Sequence, residues 1–113
     1  MTMRSFGRVM PIHIDMLQLA SYAVLWGERD IRPAASDEDC LRQIRAGRIA
    51  LRQATGQDFG YDLAAWREFL LSAPDDEFGY RHPYAFSGVD RAVQRAIRSP
   101  RRRRLVAQLE EPA

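Results

Sequence analysis

Residues 55–66, which read TGQDFGYDLAAW, constrain the local fold more than any other part of the chain. Gly56 suits the left-handed conformation that follows the end of a helix. Asp62 is a favourable N-terminal cap for a following helix, and Tyr61 and Trp66 occupy the two hydrophobic-staple positions around that cap. We therefore predict a structural corner between two helices, consisting of Gly56, Phe59, Gly60, Tyr61, Asp62 and Trp66.

Residues 51–66 (LRQATGQDFGYDLAAW) resemble a short segment found in assorted bacterial helical proteins, including some helical-repeat proteins. The shared pattern is a leucine, then Thr-Gly, an aromatic-Gly-Tyr-Asp turn, and a tryptophan one helical turn later. The resemblance implies a pair of packed helices. It carries no activity and no catalytic residue, and the rest of the chain does not show repeated helix pairs.

Apolar side chains cover nearly all of residues 16–26, where we predict the first helix. Asp15 can cap the start of this helix, and Gly27 suits its end. Because a helix that is apolar almost all round is normally buried, we expect this helix at the centre of the core.

Three further helices are predicted from caps and apolar stripes. The second follows Ser36 and runs to about Ala54, and the third covers residues 63–72. The fourth follows a Ser87 cap, with Asp90 in the capping-box position. The apolar stripe of the second helix consists of Cys40, Leu41, Ile44, Gly47, Leu51 and Ala54.

Gly47 lies inside this stripe, although glycine within a helix costs about 1 kcal/mol relative to alanine. We interpret it as a point where another helix or an aromatic ring approaches closely. Cys40 is on the same stripe without a histidine nearby, so we interpret it as a buried thiol rather than a nucleophile.

Both ends of the chain leave two interpretations open. Residues 1–14 contain Pro11 and are compatible with a short edge strand or an ordered N-terminal arm. Residues 100–113 are compatible with a basic tail or a short terminal helix.

A length of 113 residues favours one domain. We therefore predict an all-α fold, a compact bundle of four to five helices in a single domain spanning residues 1–113.

Composition indicates the type of genome that encodes the protein and the cellular compartment in which we expect it. All 17 basic side chains are arginine and the chain has no lysine or asparagine, which indicates a GC-rich, bacterial genome. Cys40 is the single cysteine, so an intrachain disulfide is impossible. The densest apolar run, residues 19–26, is much shorter than the ~20 residues that span a bilayer. We expect a cytoplasmic protein that does not enter a membrane.

Evidence for catalysis is sparse. The chain has two histidines, His13 and His82, and no recognisable catalytic triad, zinc-ligand cluster or phosphate-binding glycine loop. The sequence therefore favours a protein that is not an enzyme and that binds no metal or cofactor. A catalytic site assembled from distant residues stays open as an alternative.

Residues 78–86, FGYRHPYAF, form a connection unusually rich in aromatic side chains. Such a segment either packs over the core or forms a binding surface. If it binds a partner, the best candidates for exposed contacts are Tyr80, Arg81, His82 and Tyr84.

Charge is distributed unevenly along the chain. Ten arginines and thirteen acidic residues precede position 91, whereas residues 91–104 contain seven arginines and no acidic residue. This basic segment is compatible with a solvated helix face, with a contact for an acidic protein, or with a contact for nucleic-acid phosphates. Its candidate partner-binding residues are Arg91, Arg95, Arg98, Arg101, Arg102, Arg103 and Arg104.

These observations lead to two functional hypotheses. The first is a protein-interaction module, specifically a small bacterial inhibitor or immunity-type protein that binds a partner protein. The alternative is a nucleic-acid-associated regulator that uses the C-terminal arginine cluster. The sequence predicts no oligomeric state.

Overall fold

Helices dominate the computed structural model, which describes residues 11–24, 31–83 and 85–110. Its elements are α1 (Pro11–Leu19), β1 (Tyr22–Val24), β2 (Ile31–Pro33), α2 (Asp37–Thr55), α3 (Leu63–Ser72), the single-turn α4 (Asp75–Phe78), α5 (Phe86–Ile97) and α6 (Pro100–Glu110). This architecture confirms the predicted all-α fold. No helix within the described ranges has the length and apolar character needed to cross a membrane.

The first helix differs from its prediction at both ends. It begins at Pro11, a favourable first-turn residue, so Asp15 lies inside the helix and does not cap it. It ends at Leu19, after which Ser21 adopts a left-handed conformation with φ of 70°. The alternatives of a strand or arm at residues 1–14 are wrong for residues 11–14, which are helical, and residues 1–10 lie outside the described ranges.

A small antiparallel sheet takes the place of the predicted end of that helix. Strand β1 pairs with β2 in a register that sets Tyr22 opposite Pro33. The pairing of β1 with a strand later in the chain overrides the local helical pattern, as is common for aromatic and β-branched residues. Gly27, the predicted stop, lies outside the described residues.

The second helix confirms its predicted caps. The Ser36 hydroxyl accepts a 3.0 Å hydrogen bond from the Asp39 amide, and Gly56 ends the helix with φ of 75°. The predicted stripe is buried at Cys40, Ile44, Gly47 and Leu51 and partly buried at Leu41. Ala54 is exposed, so its assignment to the stripe is wrong; it lies in the last turn, beyond the surface that the core covers.

Gly47 is the point at which α1 crosses α2. A methyl group at this position would lie 2.7 Å from the Cα atom of Leu19 and 2.9 Å from the carbonyl oxygen of Asp15. Both atoms belong to the backbone of α1, so they cannot move aside as a flexible side chain can. The predicted close approach of another helix is confirmed.

The last three long helices agree with prediction to different degrees. Helix α3 has the predicted bounds, and its Asp62 cap accepts a 3.1 Å hydrogen bond from the Ala65 amide. Helix α5 begins at Phe86 without a side-chain cap, so the predicted Ser87 cap is wrong. The residues after Pro100 form a helix as far as Glu110 rather than a tail.

The core forms around α1, which packs against α2 and α5. Four of its apolar side chains, Ile12, Met16, Leu17 and Leu19, are buried. They meet apolar residues from every other long helix except α6, whose partly buried side chains line the edge of the same cluster. The central residues contributed by the other helices are Ile44, Leu51, Leu63, Trp66, Leu70, Val89 and Val93.

Candidate interaction surface

The predicted corner serves the fold. The Trp66 indole N–H donates a 3.0 Å hydrogen bond to the Gly60 carbonyl oxygen, and the Phe59 ring meets the Trp66 ring edge-on at 4.9 Å. Gly60 has a left-handed φ of 63°. Arg48 lies over the Tyr61 ring, 4.8 Å from its centroid. These contacts account for the side chains of the corner without requiring a ligand.

The aromatic segment packs mainly onto the core. Phe78 contacts Phe69 at a centroid distance of 5.7 Å, and Phe86 meets Tyr80 edge-on at 5.6 Å. Only 2% of the Tyr80 side chain is exposed, so the prediction that it is an exposed contact is wrong. It turns inward because its ring fits the apolar cluster while its hydroxyl finds a buried acceptor.

The other candidates in this segment have different positions. Arg81 is exposed and donates a 3.1 Å hydrogen bond to the Ala73 carbonyl oxygen. His82 is half-buried. Tyr84 lies outside the described residues. Of the four predicted contacts in this segment, Arg81 and part of His82 therefore lie on the described protein surface.

Asp90 is the buried acceptor for Tyr80. The Tyr80 hydroxyl donates to it at 2.8 Å, and the Arg67 guanidinium donates twice, at 2.7 and 2.9 Å. Gln94 adds a bond of 2.7 Å. Burial by itself raises the pKa of the Asp90 carboxyl, but these donors together outweigh it and hold the pKa below its usual value. Asp90 thus joins α3, the aromatic segment and α5, and its predicted capping-box role is wrong.

His13 is a second buried polar residue that sequence reasoning did not place. Its Nε2 atom lies 2.7 Å from the Tyr80 carbonyl oxygen. Burial lowers the pKa of His13, although the hydrogen bond to that oxygen opposes the shift. In the sequence, the one indication of its burial is that His13 lies among apolar residues of α1, next to Ile12 and one turn before Leu17.

The C-terminal arginine cluster divides into inward and outward groups. Arg102 is 7% exposed and donates hydrogen bonds to the carbonyl oxygens of Leu19 and Tyr61, so it offers little surface to a partner protein. Arg101 and Arg104 both donate to Asp37, at 2.9 and 3.3 Å. The connection between α5 and α6 turns these side chains toward the carbonyl and carboxylate acceptors of neighbouring elements.

Three exposed arginines form a row that we call the arginine face. Arg91 and Arg95 belong to α5, and Arg98 is the residue that directly follows its last turn. Their spacing of four and then three residues places them on one side of the helix. Within residues 11–24, 31–83 and 85–110, no hydrogen bond or ion pair occupies their side chains. Arg103 is also exposed, and it donates to the Arg98 carbonyl oxygen at 3.1 Å.

Two further features bear on chemistry. No group of three or more His, Cys, Asp or Glu side chains in the described part of the chain could hold a metal ion. The Cys40 thiol is buried and donates to the Ala34 carbonyl oxygen at 3.6 Å.

Comparison of the chain with protein-family models, with curated proteins and with solved structures finds no significant match.

Proposed function

We propose that this protein is an interaction module that binds an acidic surface of a partner protein through the arginine face. The observation that carries the proposal is the contrast within one cluster. Arg101, Arg102 and Arg104 bond to acceptors of their own chain, whereas Arg91, Arg95 and Arg98 present their guanidinium groups to solvent. The arginine face therefore keeps its hydrogen-bonding capacity for a second molecule.

Charge complementarity defines the partner surface. A guanidinium group can donate two parallel hydrogen bonds to a carboxylate, which gives such contacts a defined geometry. No acidic residue occurs between Asp90 and Glu110, and Asp90 is itself buried and paired. Exposed ion pairs contribute only about 0.2–1 kcal/mol each. Their main effect in the complex is faster association and a choice of partner by charge.

The finer hypothesis is an inhibitor or immunity-type protein that covers the functional surface of its partner. Small size supports it, as does a rigid helix that carries the binding groups, because a preorganised surface loses little entropy on binding. In such a complex the activity of the partner should fall as the arginine face engages it.

The test compares two double variants that change net charge equally. R91E/R98E reverses charge on the arginine face, whereas R42E/R45E reverses it on the exposed side of α2. Tagged protein is used to capture a partner from a bacterial extract, and the captured protein is then purified and titrated directly. We expect near-stoichiometric binding by the unmodified protein and R42E/R45E, a loss of at least about tenfold in affinity for R91E/R98E, and inhibition of the partner in the intact complex.

Equal retention of the partner by both double variants would exclude the arginine face as the contact. Captured material that is released by nuclease, with affinity that falls steeply as salt rises, would instead favour the nucleic-acid alternative. Circular dichroism of both variants shows whether they remain folded.

A further inference from the structure

A small recess lies where the α1–β1 turn meets the junction of α5 and α6. Its volume is about 200 Å³, and its floor includes the buried Cys40 and Leu105. The polar residues around it are Ser21, Tyr22, Arg95, Ser99, Arg101 and Arg102, and none of its lining residues is acidic.

Arg102 gives the recess a fixed positive charge. Its Nε and Nη2 atoms donate to the Leu19 carbonyl oxygen at 3.0 and 2.9 Å, and Nη2 also donates to the Tyr61 carbonyl oxygen at 2.9 Å. These acceptors are carbonyl oxygens, so they orient the guanidinium group without neutralising it. No described residue accepts a hydrogen bond from Nη1. Burial lowers the pKa of Arg102 to about 10, which leaves the side chain charged at neutral pH.

Arg101 and Arg95 add two further guanidinium groups. Arg101 is held by Asp37 through Nε at 2.9 Å and by the carbonyl oxygens of Ala34 and Ala35 at 3.3 Å. Asp37 also accepts from Arg104, so one carboxylate is divided between two arginines. Arg95 is exposed and has no acidic partner within the described ranges. The recess and its rim therefore carry more positive than negative charge.

Two hydroxyl groups complete the polar lining. The Ser99 hydroxyl oxygen accepts from the Arg102 amide at 3.2 Å, which leaves its own hydrogen available to donate. Ser21, on the turn after α1, also lines the recess. A small space lined by three arginines and two serines suits an acceptor that is anionic and has several oxygens.

We propose that this recess binds a tetrahedral oxyanion, either inorganic phosphate or the phosphate group of a small monoester. Arg95, Arg101 and Arg102 are its cationic contacts. The apolar floor limits the depth to which the anion enters. The proposal does not depend on the protein partner discussed above, although Arg95 belongs to both the recess and the arginine face.

The test is calorimetric titration of the whole protein with inorganic phosphate and, separately, with phosphoserine, at constant ionic strength. R95Q and R101Q remove one recess contact each. R91Q is the matched control, because Arg91 lies one helical turn from Arg95, is also exposed, and does not line the recess. We expect saturable binding by the unmodified protein and R91Q. Affinity should be about tenfold weaker for R95Q and for R101Q, since each loses a charge-assisted hydrogen bond to the anion.

Comparison of the affinities for phosphoserine and inorganic phosphate shows whether the recess binds a free ion or the phosphate group of a larger molecule. Tighter binding of phosphoserine indicates that the recess takes the phosphate group of a larger molecule, whereas tighter binding of inorganic phosphate indicates the free ion. Binding that is equal in R95Q, R91Q and the unmodified protein would overturn the proposal, as would a response that chloride reproduces. R95Q keeps the test decisive if R101Q unfolds, because Arg95 makes no described contact that stabilises the fold. R91E/R98E should still bind phosphate, so failure of partner capture and failure of this recess are distinguishable.

Discussion

The hydroxyl group of Tyr80 donates a 2.8 Å hydrogen bond to the carboxylate of Asp90, ten residues later in the chain. Both residues are buried, with exposures of 2% and 5%. The bond fastens the aromatic segment to α5 and fixes where that segment crosses the core. Because Arg67 binds the same carboxylate, one buried acid holds three parts of the fold together.

Replacing Asp90 with alanine should therefore be strongly destabilising. D90A removes the acceptor of Tyr80, Arg67 and Gln94, and it leaves a buried hydroxyl without this partner. We expect the free energy of unfolding to fall by about 3 kcal/mol, and by about 1–2 kcal/mol in Y80F, where the charged pair survives. Urea denaturation measures both. R91A, on the exposed side of the same helix, should change stability by less than about 0.5 kcal/mol. A D90A protein as stable as R91A would contradict the assigned role.

Replacing Gly47 with alanine should lower the stability of the fold, whereas replacing Gly88 with alanine should raise it. In G47A the new methyl group meets the backbone of α1 at Leu19 and Asp15, so the two helices must separate. We expect a loss of about 2–3 kcal/mol, because overpacking outweighs the gain in helix propensity. In G88A no described atom outside the adjacent residues and the backbone of the same helix lies within 4 Å of the new methyl group, and we expect a gain of about 0.5–1 kcal/mol. Thermal unfolding of the pair checks the crossing point, and a stabilised G47A would show that the helices do not meet there.

Arg102 and Arg103 are adjacent but should differ in their effect on stability. R102M removes donors from the Leu19 and Tyr61 carbonyl oxygens, and we expect the free energy of unfolding to fall by about 2–4 kcal/mol. R103M changes an exposed side chain and should have an effect below about 0.5 kcal/mol. Chemical denaturation of the two variants provides the comparison. Equal stabilities would mean that the Arg102 bonds are not formed in solution.

Asp15 should make stability depend on pH in the mildly acidic range. Burial raises the pKa of its carboxyl to about 6, above the value of about 3.9 in an unfolded chain. Between these values the folded protein binds more protons than the unfolded one, so the free energy of unfolding declines as pH rises from about 4 to about 6. Because the group is only half-buried, solvent screening limits the decline to about 1–2 kcal/mol.

The D15N variant lacks this titration. We expect its unfolding free energy to exceed that of the unmodified protein at pH 7 and to show a weaker decline between pH 4 and 6. Denaturant titrations at several pH values measure the difference. An unchanged pH profile in D15N would assign the decline to other groups.

The sequence by itself determined the features that depend on neighbours within one turn. Ser36, Gly56 and Asp62 marked three helix ends correctly, because a capping side chain or a left-handed glycine acts on amide groups a few residues away. The apolar period of α2 identified most of its buried side for the same reason. Gly47 also indicated a close crossing, since a costly glycine within a helix needs a neighbour that excludes a side chain.

Tertiary structure decided what depends on partners far along the chain. Residues 22–24 became a strand because residues 31–33 pair with them. Arg102, Tyr80 and Asp90 turned inward because Leu19, Tyr61 and Arg67 supply complementary polar groups at the positions where those side chains arrive. The seven arginines of residues 91–104 look alike in the sequence. In the fold, Arg101, Arg102 and Arg104 bond to acceptors of their own chain, whereas the arginine face stays exposed. The physical reason is that a buried charge or hydroxyl is stable only where another part of the fold provides its hydrogen bonds.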